Sequence, residues 1–272
     1  MAREIQKDWS LCISLAARPS NTGTRFHNYL YEALDLPFLY KAFAPIDITD
    51  AVRGIRGLPI RGAAVSMPYK ASVIPLLDEL DPSAADIGAV NTIVNTDGHL
   101  HGYNTDVIAV EQLLMSHHVK PDLPVALIGS GGMASACAAA LARCGFAKVT
   151  VVARNRAAGT ALADRHGWTW RDTAEPRYSM LLHATPIGMA GAPEATMVPV
   201  EPRVVAAADV VFDVVAMPAE TPLLVAAASA GKHCITGAEV MTLQAVEQFE
   251  LYTGIRPPES LIAAAAAHSR TT

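Results

Sequence analysis

The sequence predicts an α/β fold whose middle and later part winds into a parallel sheet. Two observations predict it. Short apolar strands recur at Val125, Val149, Met180 and Val210, with helical segments between the first of them. The first of these strands runs into a glycine-rich turn, Gly129-Ser130-Gly131-Gly132-Met133-Ala134, that opens a helical stretch. Strand, turn and helix in this order set a pyrophosphate on a helix N-terminus.

Upstream of that unit the chain alternates short strands and helices. Leu11 to Ala16 is an apolar run of buried-strand length. Arg25 to Leu34 puts Phe26, Tyr29, Leu30 and Ala33 on one helical face. Phe38 to Ala42 and Ile60 to Val65 read as further strands. Thr92 to Thr96 and His99 to Tyr103 flank Asp97-Gly98, a pair suited to positive φ, so a hairpin is predicted. A helix is expected from about Val107 to Ser116, and Lys120 to Pro124 reads as a linker into the strand at Val125. Late in the chain a helix runs from Glu239 to Tyr252 and closes at Gly254. Pro257-Pro258 then opens a last, alanine-rich helix.

A chain of 272 residues suffices for one large domain or two ordinary ones. With 51% hydrophobic and 17% charged residues it can bury a substantial core. A net charge of -5 without runs of one sign argues against a nucleic-acid partner. Met1 to Asp8 mixes charges and lacks the apolar stretch of a secretory leader. Asp209, Asp213 and His268 interrupt the longest apolar stretches, so no membrane span is expected. Cys12, Cys137, Cys144 and Cys234 are scattered, which suits buried thiols in a reducing cytoplasm better than disulfides or a metal site.

The glycine turn matches G-x-G-x-x-A. Gly129 and Gly131 let the backbone approach phosphates, and Ala134 lets the helix pack close to the strand. The next strand, Val149 to Ala153, runs into Arg154-Asn155-Arg156. An NAD site usually carries an acidic residue there, holding the ribose 2′-hydroxyl. A basic residue suits a 2′-phosphate, so NADP(H) is the expected cofactor, with Arg154 the favoured contact.

Two stretches upstream carry chemistry. In Ala64-Val65-Ser66-Met67-Pro68-Tyr69-Lys70 a buried strand ends at a proline and presents a lysine. Asn104-Thr105-Asp106 follows the hairpin, and Asn91 opens the hairpin's first strand. A lysine and an aspartate on one alcohol can exchange its proton while a nicotinamide takes the hydride. Lys70 serves either as base or as a donor to the substrate oxygen. Plainer roles stand beside these: a solvated strand end for Lys70, a cap of the following helix for Asp106, a turn amide for Asn91 and a core amide for Gln244.

With these motifs in order along nearly its whole length, the chain resembles the shikimate dehydrogenase family. The family's N-V-T-x-P-x-K is matched by Ala64 to Lys70, A-V-N-T by Ala89 to Thr92, and G-x-N-T-D by Gly102 to Asp106. Its glycine turn is matched by Gly129 to Ala134 and N-A-T-x-x-G-M by His183 to Met189. Gly237, Gln244, Phe249 and Thr253-Gly254 match its closing helix. The resemblance implies an oxidoreductase of two domains that interconverts 3-dehydroshikimate and shikimate with NADPH. It implies a substrate domain of residues 1–105 and 238–272, and a Rossmann-type NADP-binding domain of residues 106–237. Lys70 and Asp106 match the catalytic pair. Ser20, Asn21, Thr24, Ser66, Asn91 and Gln244 fall at substrate positions. Gly129 to Ala134, Arg154, Asn155, Thr185, Gly188, Met189 and Gly237 fall at cofactor positions, and no metal is implied.

Departures point to the shikimate dehydrogenase-like branch. Counting back from His27 puts Asn21 and Gly23 where the family has two serines that hold the substrate carboxylate. Ser20, Thr22 and Thr24 are the hydroxyls at hand. Ala64 replaces the first Asn of N-V-T, and Ala216 stands where a tyrosine is usual. Quinate is therefore a rival substrate, and a non-catalytic sensor of NADP or a shikimate-type ligand a rival function. The sequence leaves monomer and homodimer open.

Overall fold

The computed structural model describes residues 4–270. The first three residues of the charged stretch Met1 to Asp8, and the last two of the expected substrate domain, lie outside the described residues. The chain divides into two compact units. One comprises the residues up to Thr105 and those from Thr242 onward; the other runs from Asp106 to Met241.

The first unit builds a six-stranded sheet. Its elements begin with β1 (Ser10–Leu15), α1 (Thr22–Ala33), β2 (Phe38–Phe43), α2 (Ile48–Gly57) and β3 (Gly62–Val65). A 3-10 turn at Ile74–Leu76 leads to β4 (Glu79–Leu80), α3 (Pro82–Ala85), β5 (Thr92–Thr96) and β6 (His99–Tyr103). The strand order is β2-β1-β3-β5-β6-β4, parallel from β2 to β3 and antiparallel through the β5–β6 hairpin. Asp97 and Gly98 both take positive φ, and Asn95 Oδ1 accepts the Gly98 N–H at 2.9 Å, so the expected turn chemistry closes the hairpin.

The second unit contains α4 (Thr105–Ser116), which begins at the crossover, then β7 (Val125–Ile128), α5 (Gly132–Arg143), β8 (Val149–Val152), α6 (Arg156–Arg165) and β9 (Thr169–Arg171). It continues through β10 (Met180–His183), α7 (Pro202–Ala207), β11 (Val210–Asp213), α8 (Pro222–Ser229) and β12 (His233–Thr236). Its six strands are all parallel in the order β12-β11-β10-β7-β8-β9. Counted from β7, that is the doubly wound order whose switch point lies between the first and fourth strands, here β7 and β10. The long helix α9 (Gly237–Thr253) carries the chain back into the first unit, where α10 (Glu259–Ser269) follows.

Strand alternation gives the first sheet two cores. Cys12 faces one side, with Phe26, Leu30, Tyr31, Tyr40, Phe249, Tyr252 and Ala265. Ile13 and Leu15 face the other, with Val52, Ile55 and Ile93. Thus α1, α9 and α10 cover one face and α2 the other. Tyr252 approaches so closely that a Cβ on Gly62 would lie 2.2 Å from its ring, so β3 needs glycine there. Arg61 then donates to the Tyr252 carbonyl at 2.9 Å and to the Asn95 carbonyl at 2.7 Å, tying the last turn of α9 to the sheet.

Several expectations shift. The linker Lys120 to Pro124 joins α4 to β7 inside the second unit. The return crossover falls at Met241, beyond the 237/238 boundary drawn from sequence, because α9 runs through it unbroken. Helix α4 starts at Thr105 rather than Val107, so Asp106 sits in its first turn rather than at the residue before it. Helix α2 carries a readable signal that was passed over, Ile48, Val52 and Ile55 on one face after the Asp47 cap, whereas α7 and α8 are short, although Pro202 and Pro222 at their starts are helix-opening signals. Among the described residues no helix is long and apolar enough to cross a membrane.

The first core holds one titratable surprise. His27 is fully buried and stacks on Tyr40 with ring centroids 4.4 Å apart. Burial holds its pKa at about 3, down from 6.5. The folded protein keeps the ring neutral, whereas the unfolded chain takes up a proton below pH 6.5. Its contribution is therefore complete above that pH and is lost as pH falls toward 3, with a slope of up to about 1.4 kcal/mol per pH unit. His27→Phe keeps the stack and removes the titration. Urea unfolding between pH 4 and 7 is expected to show a shallower acid slope in the variant; equal slopes would assign the acid limb to other groups.

Candidate functional site

The glycine turn occupies the switch point of the parallel sheet. Gly129 leaves β7 at φ +126, and a Cβ there would lie 2.7 Å from the Ala184 carbonyl oxygen at the end of β10. Only glycine fits both the conformation and the approach. Gly131 is the N-cap of α5 in extended conformation, and side chains at Gly131 or Gly132 would meet open space. Ser130 and Met133 are half-buried, while Ala134 is fully buried against the sheet. The first N–H groups of α5 lack intrahelical acceptors, and no acidic residue occupies its first turn. This donor set fits a diphosphate.

At the end of β8 the three polar residues divide their work. Asn155 caps α6 by accepting the Ala158 N–H at 3.1 Å. Arg156 lies over the Trp170 ring at 5.4 Å. Arg154 is exposed, and Glu194 holds it at 3.0 Å. Glu194 was not foreseen from sequence, being forty positions away in an irregular loop.

Next to the glycine turn lies a buried polar chain. His183 and Asp213, neighbours in register at the ends of β10 and β11, bond through Nδ1 and Oδ1 at 2.9 Å. Asp213 also accepts the Val215 N–H at 3.0 Å and the Thr221 hydroxyl at 2.5 Å. A carboxylate only accepts, so His183 carries its proton on Nδ1, and in the neutral ring Nε2 accepts from Thr185 Oγ1 at 2.5 Å. Thr185 Oγ1 in turn takes the Ile187 N–H at 3.2 Å. The expected cofactor residue Thr185 is thus oriented by a His–Asp pair that periodicity marked only as core strand. Gly188 takes φ +81, and Met189 is exposed. A Cβ on Gly237 would lie 2.4 Å from the Val215 backbone, so this glycine lets α9 start against the β11 exit.

In the first unit Asn91 is the centre. Its Oδ1 accepts the Thr105 N–H at 2.8 Å and the hydroxyls of Thr92 and Thr105 at 2.8 and 3.1 Å. Its Nδ2 is buried with no hydrogen-bond partner among the described residues. The Lys70 carbonyl accepts the Val90 N–H at 2.8 Å, which brings the half-buried Lys70 within one residue of Asn91. Thr105, held by Asn91, is followed directly by the buried Asp106.

The remaining expected substrate residues differ in setting. Thr24 Oγ1 is buried and has no hydrogen-bond partner among the described residues. Ser20, Asn21 and Ser66 are exposed, and Asn21 precedes α1 without a side-chain cap bond. Gln244 is half-buried on α9. One turn later Gln248, which sequence reasoning passed over, donates to Thr92 Oγ1 at 3.1 Å and to the Asn91 carbonyl at 3.5 Å. Its spacing of four from Gln244, on one helix face, was the available signal.

Comparison with known proteins shows what the chain resembles. The family described as shikimate dehydrogenase substrate binding domain matches residues 20–93. A shikimate dehydrogenase-like protein of Haemophilus influenzae is 50% identical, covering 98% of this chain and 99% of its own. A shikimate dehydrogenase (NADP(+)) of Chlorobaculum tepidum is 36% identical over 87% of each chain. Among solved structures, a shikimate 5-dehydrogenase from Thermus thermophilus in complex with NADP(H) and shikimate superposes with a TM-score of 0.84. It is 25% identical and covers 96% of this chain and 99% of its own.

Asn91→Ala is expected to strand the buried Thr105 N–H and cost ~1–3 kcal/mol of stability. Asn91→Asp keeps an acceptor and should recover part of that loss. Urea denaturation of the two variants checks the order; equal losses would mean that the Oδ1 bonds do not organise the site.

Proposed function

We propose a reaction from one premise: the chain belongs to the shikimate dehydrogenase family, with 50% identity to a relative across 98% of its length. On that premise it is an NADP(H)-dependent oxidoreductase that interconverts shikimate and 3-dehydroshikimate. The observation that carries the reading is the Val90–Lys70 backbone bond, which sets the lysine of the strand-end motif beside Asn91. The Thermus relative, solved with NADP(H) and shikimate, supports the same pairing of cofactor and substrate.

When bound, the nicotinamide accepts or returns the hydride. The residues of the chain do the rest. The α5 N-terminus, with Gly129, Ser130, Gly131, Gly132, Met133 and Ala134, holds the diphosphate. Arg154 pairs the 2′-phosphate and Asn155 fixes the start of α6 beside it. Thr185, Gly188, Met189 and Gly237 line the path of the cofactor toward the nicotinamide. Asn91 Nδ2 and Thr24 Oγ1, both buried and without partners, donate to substrate oxygens. Ser20, Asn21, Ser66 and Gln244 complete the polar contacts. Lys70 and Asp106 take and return the proton of the reacting hydroxyl, and proton transfer by such positioned groups accelerates the chemistry.

One observation favours quinate as a second substrate. Gly23 stands where the family carries a serine, and a Cβ there would lie 3.5 Å from Tyr40 Oη. Gly23 supplies no hydroxyl where the family has one, and quinate carries one more hydroxyl than shikimate. A site built around fewer donors discriminates differently among polyols.

Purified protein assayed with shikimate and quinate, each with NADP and NAD, separates these readings by the absorbance of the reduced nicotinamide. Lys70→Ala and Asp106→Ala are each expected to lower kcat by ~10²–10⁴-fold while NADP binding persists. The double variant should cost little more than the worse single one, because the two groups act on one proton. Near-normal kcat in both single variants would remove them from the mechanism, and no turnover of either substrate would favour a sensor.

A further inference from the structure

Arg154 and Glu194 form a two-pronged pair. Arg154 Nη1 lies 3.0 Å from Glu194 Oε1, and Nη2 lies 3.5 Å from Oε2. The two partners are unequally free. The Arg154 side chain is 77% exposed and that of Glu194 only 32%. The Glu194 carbonyl accepts the N–H of Gly188 at 2.9 Å and that of Met197 at 3.1 Å. Glu194 is therefore anchored to the turn that carries Gly188 and Met189, and the arginine is the long, solvated arm that reaches it.

A guanidinium presents the same fork to a carboxylate and to a phosphate, so the two compete for it. A 2′-phosphate that takes the fork also arrives beside the Glu194 charge and is repelled by it. A 2′-hydroxyl meets no such repulsion and can donate to the carboxylate, the part an acidic residue plays in NAD sites. We propose that Glu194 is a specificity-determining residue: it occupies Arg154 in the free protein and tempers the preference for NADP over NAD. The inference rests on the reading of Arg154 as the 2′-phosphate contact and deepens it.

Trp170 gives a local reporter, since its Nε1–H donates at 3.1 Å to the carbonyl of Ala153, the residue before Arg154. Tryptophan fluorescence titration and calorimetry measure the Kd values of NADP and NAD, and of 2′,5′-ADP and 5′-AMP as fragments with and without the 2′-phosphate. Glu194→Gln is expected to raise the NAD-to-NADP ratio of Kd about fivefold, mostly through tighter NADP binding. The fragments should follow the same trend, and Glu194→Ala should reproduce it. Arg154→Ala is expected to collapse the ratio, and Glu194→Gln should then have a smaller effect in that background, because only the direct charge repulsion is left to relieve. If Arg154→Ala weakens NADP but both Glu194 variants leave the ratio unchanged, the inference about Glu194 is overturned and the Arg154 contact stands. If Arg154→Ala leaves NADP binding unchanged, the contact itself is wrong and the inference falls with it.

Discussion

One side chain organises the chemistry-bearing end of the first unit. The amide of Asn91 is buried, and its Oδ1 gathers the Thr105 N–H with the hydroxyls of Thr92 and Thr105. Its main chain adds two ladder bonds, Val65 N–H to its carbonyl at 2.7 Å and its own N–H to Tyr103 at 3.0 Å. Gln248 closes on the same carbonyl from α9. Strands β3, β5 and β6, the first residue of α4 and helix α9 therefore meet at one residue. Each buried group it satisfies would otherwise cost more than its bond contributes, so the arrangement is all-or-none in character. Lys70 inherits its place through Val90, the residue before Asn91.

The second unit solves a comparable problem with backbone rather than with an amide. Gly129 lies against the Ala184 carbonyl and Gly237 against Val215, so chain exits from β7, β10 and β11 are crowded to distances that no side chain tolerates. The crowding keeps the N-terminus of α5 clear while the His183–Asp213–Thr221 chain satisfies the polar groups buried behind it. Closely packed strand ends and an open helix end are one design: the first provides rigidity, the second a place for negative charge.

What could be read from the residues follows the range of the signal. The parallel sheet, the Asp97-Gly98 hairpin and the glycine turn rest on spacings of a few positions, and those short-range rules fix local conformation directly. Small elements such as β9 and α7 carry too few residues for a period to emerge. The partnerships that shape the site are of another kind. Arg154 meets Glu194, His183 meets Asp213, and Gln248 meets Thr92 only because the fold brings distant segments together. Composition holds no trace of such pairings. The crossover at Met241 was hidden for the opposite reason, since a continuous helix carries no boundary signal.

The polar groups of the two units differ in how far they are prearranged. Asn91 Nδ2 and Thr24 Oγ1 are already desolvated, and a buried donor without a partner has lost its water before any ligand arrives. A substrate oxygen that meets such a donor gains a bond without the usual cost of stripping it. Arg154 is the reverse case: solvated, charged and already engaged, it must exchange one anion for another. Rigid, dry donors suit discrimination among polar ligand groups, where one misplaced group leaves a buried atom unpaired. An exposed ion pair suits a cofactor distinguished by a single charged group, where exchange is cheap and selectivity is set by the neighbouring carboxylate.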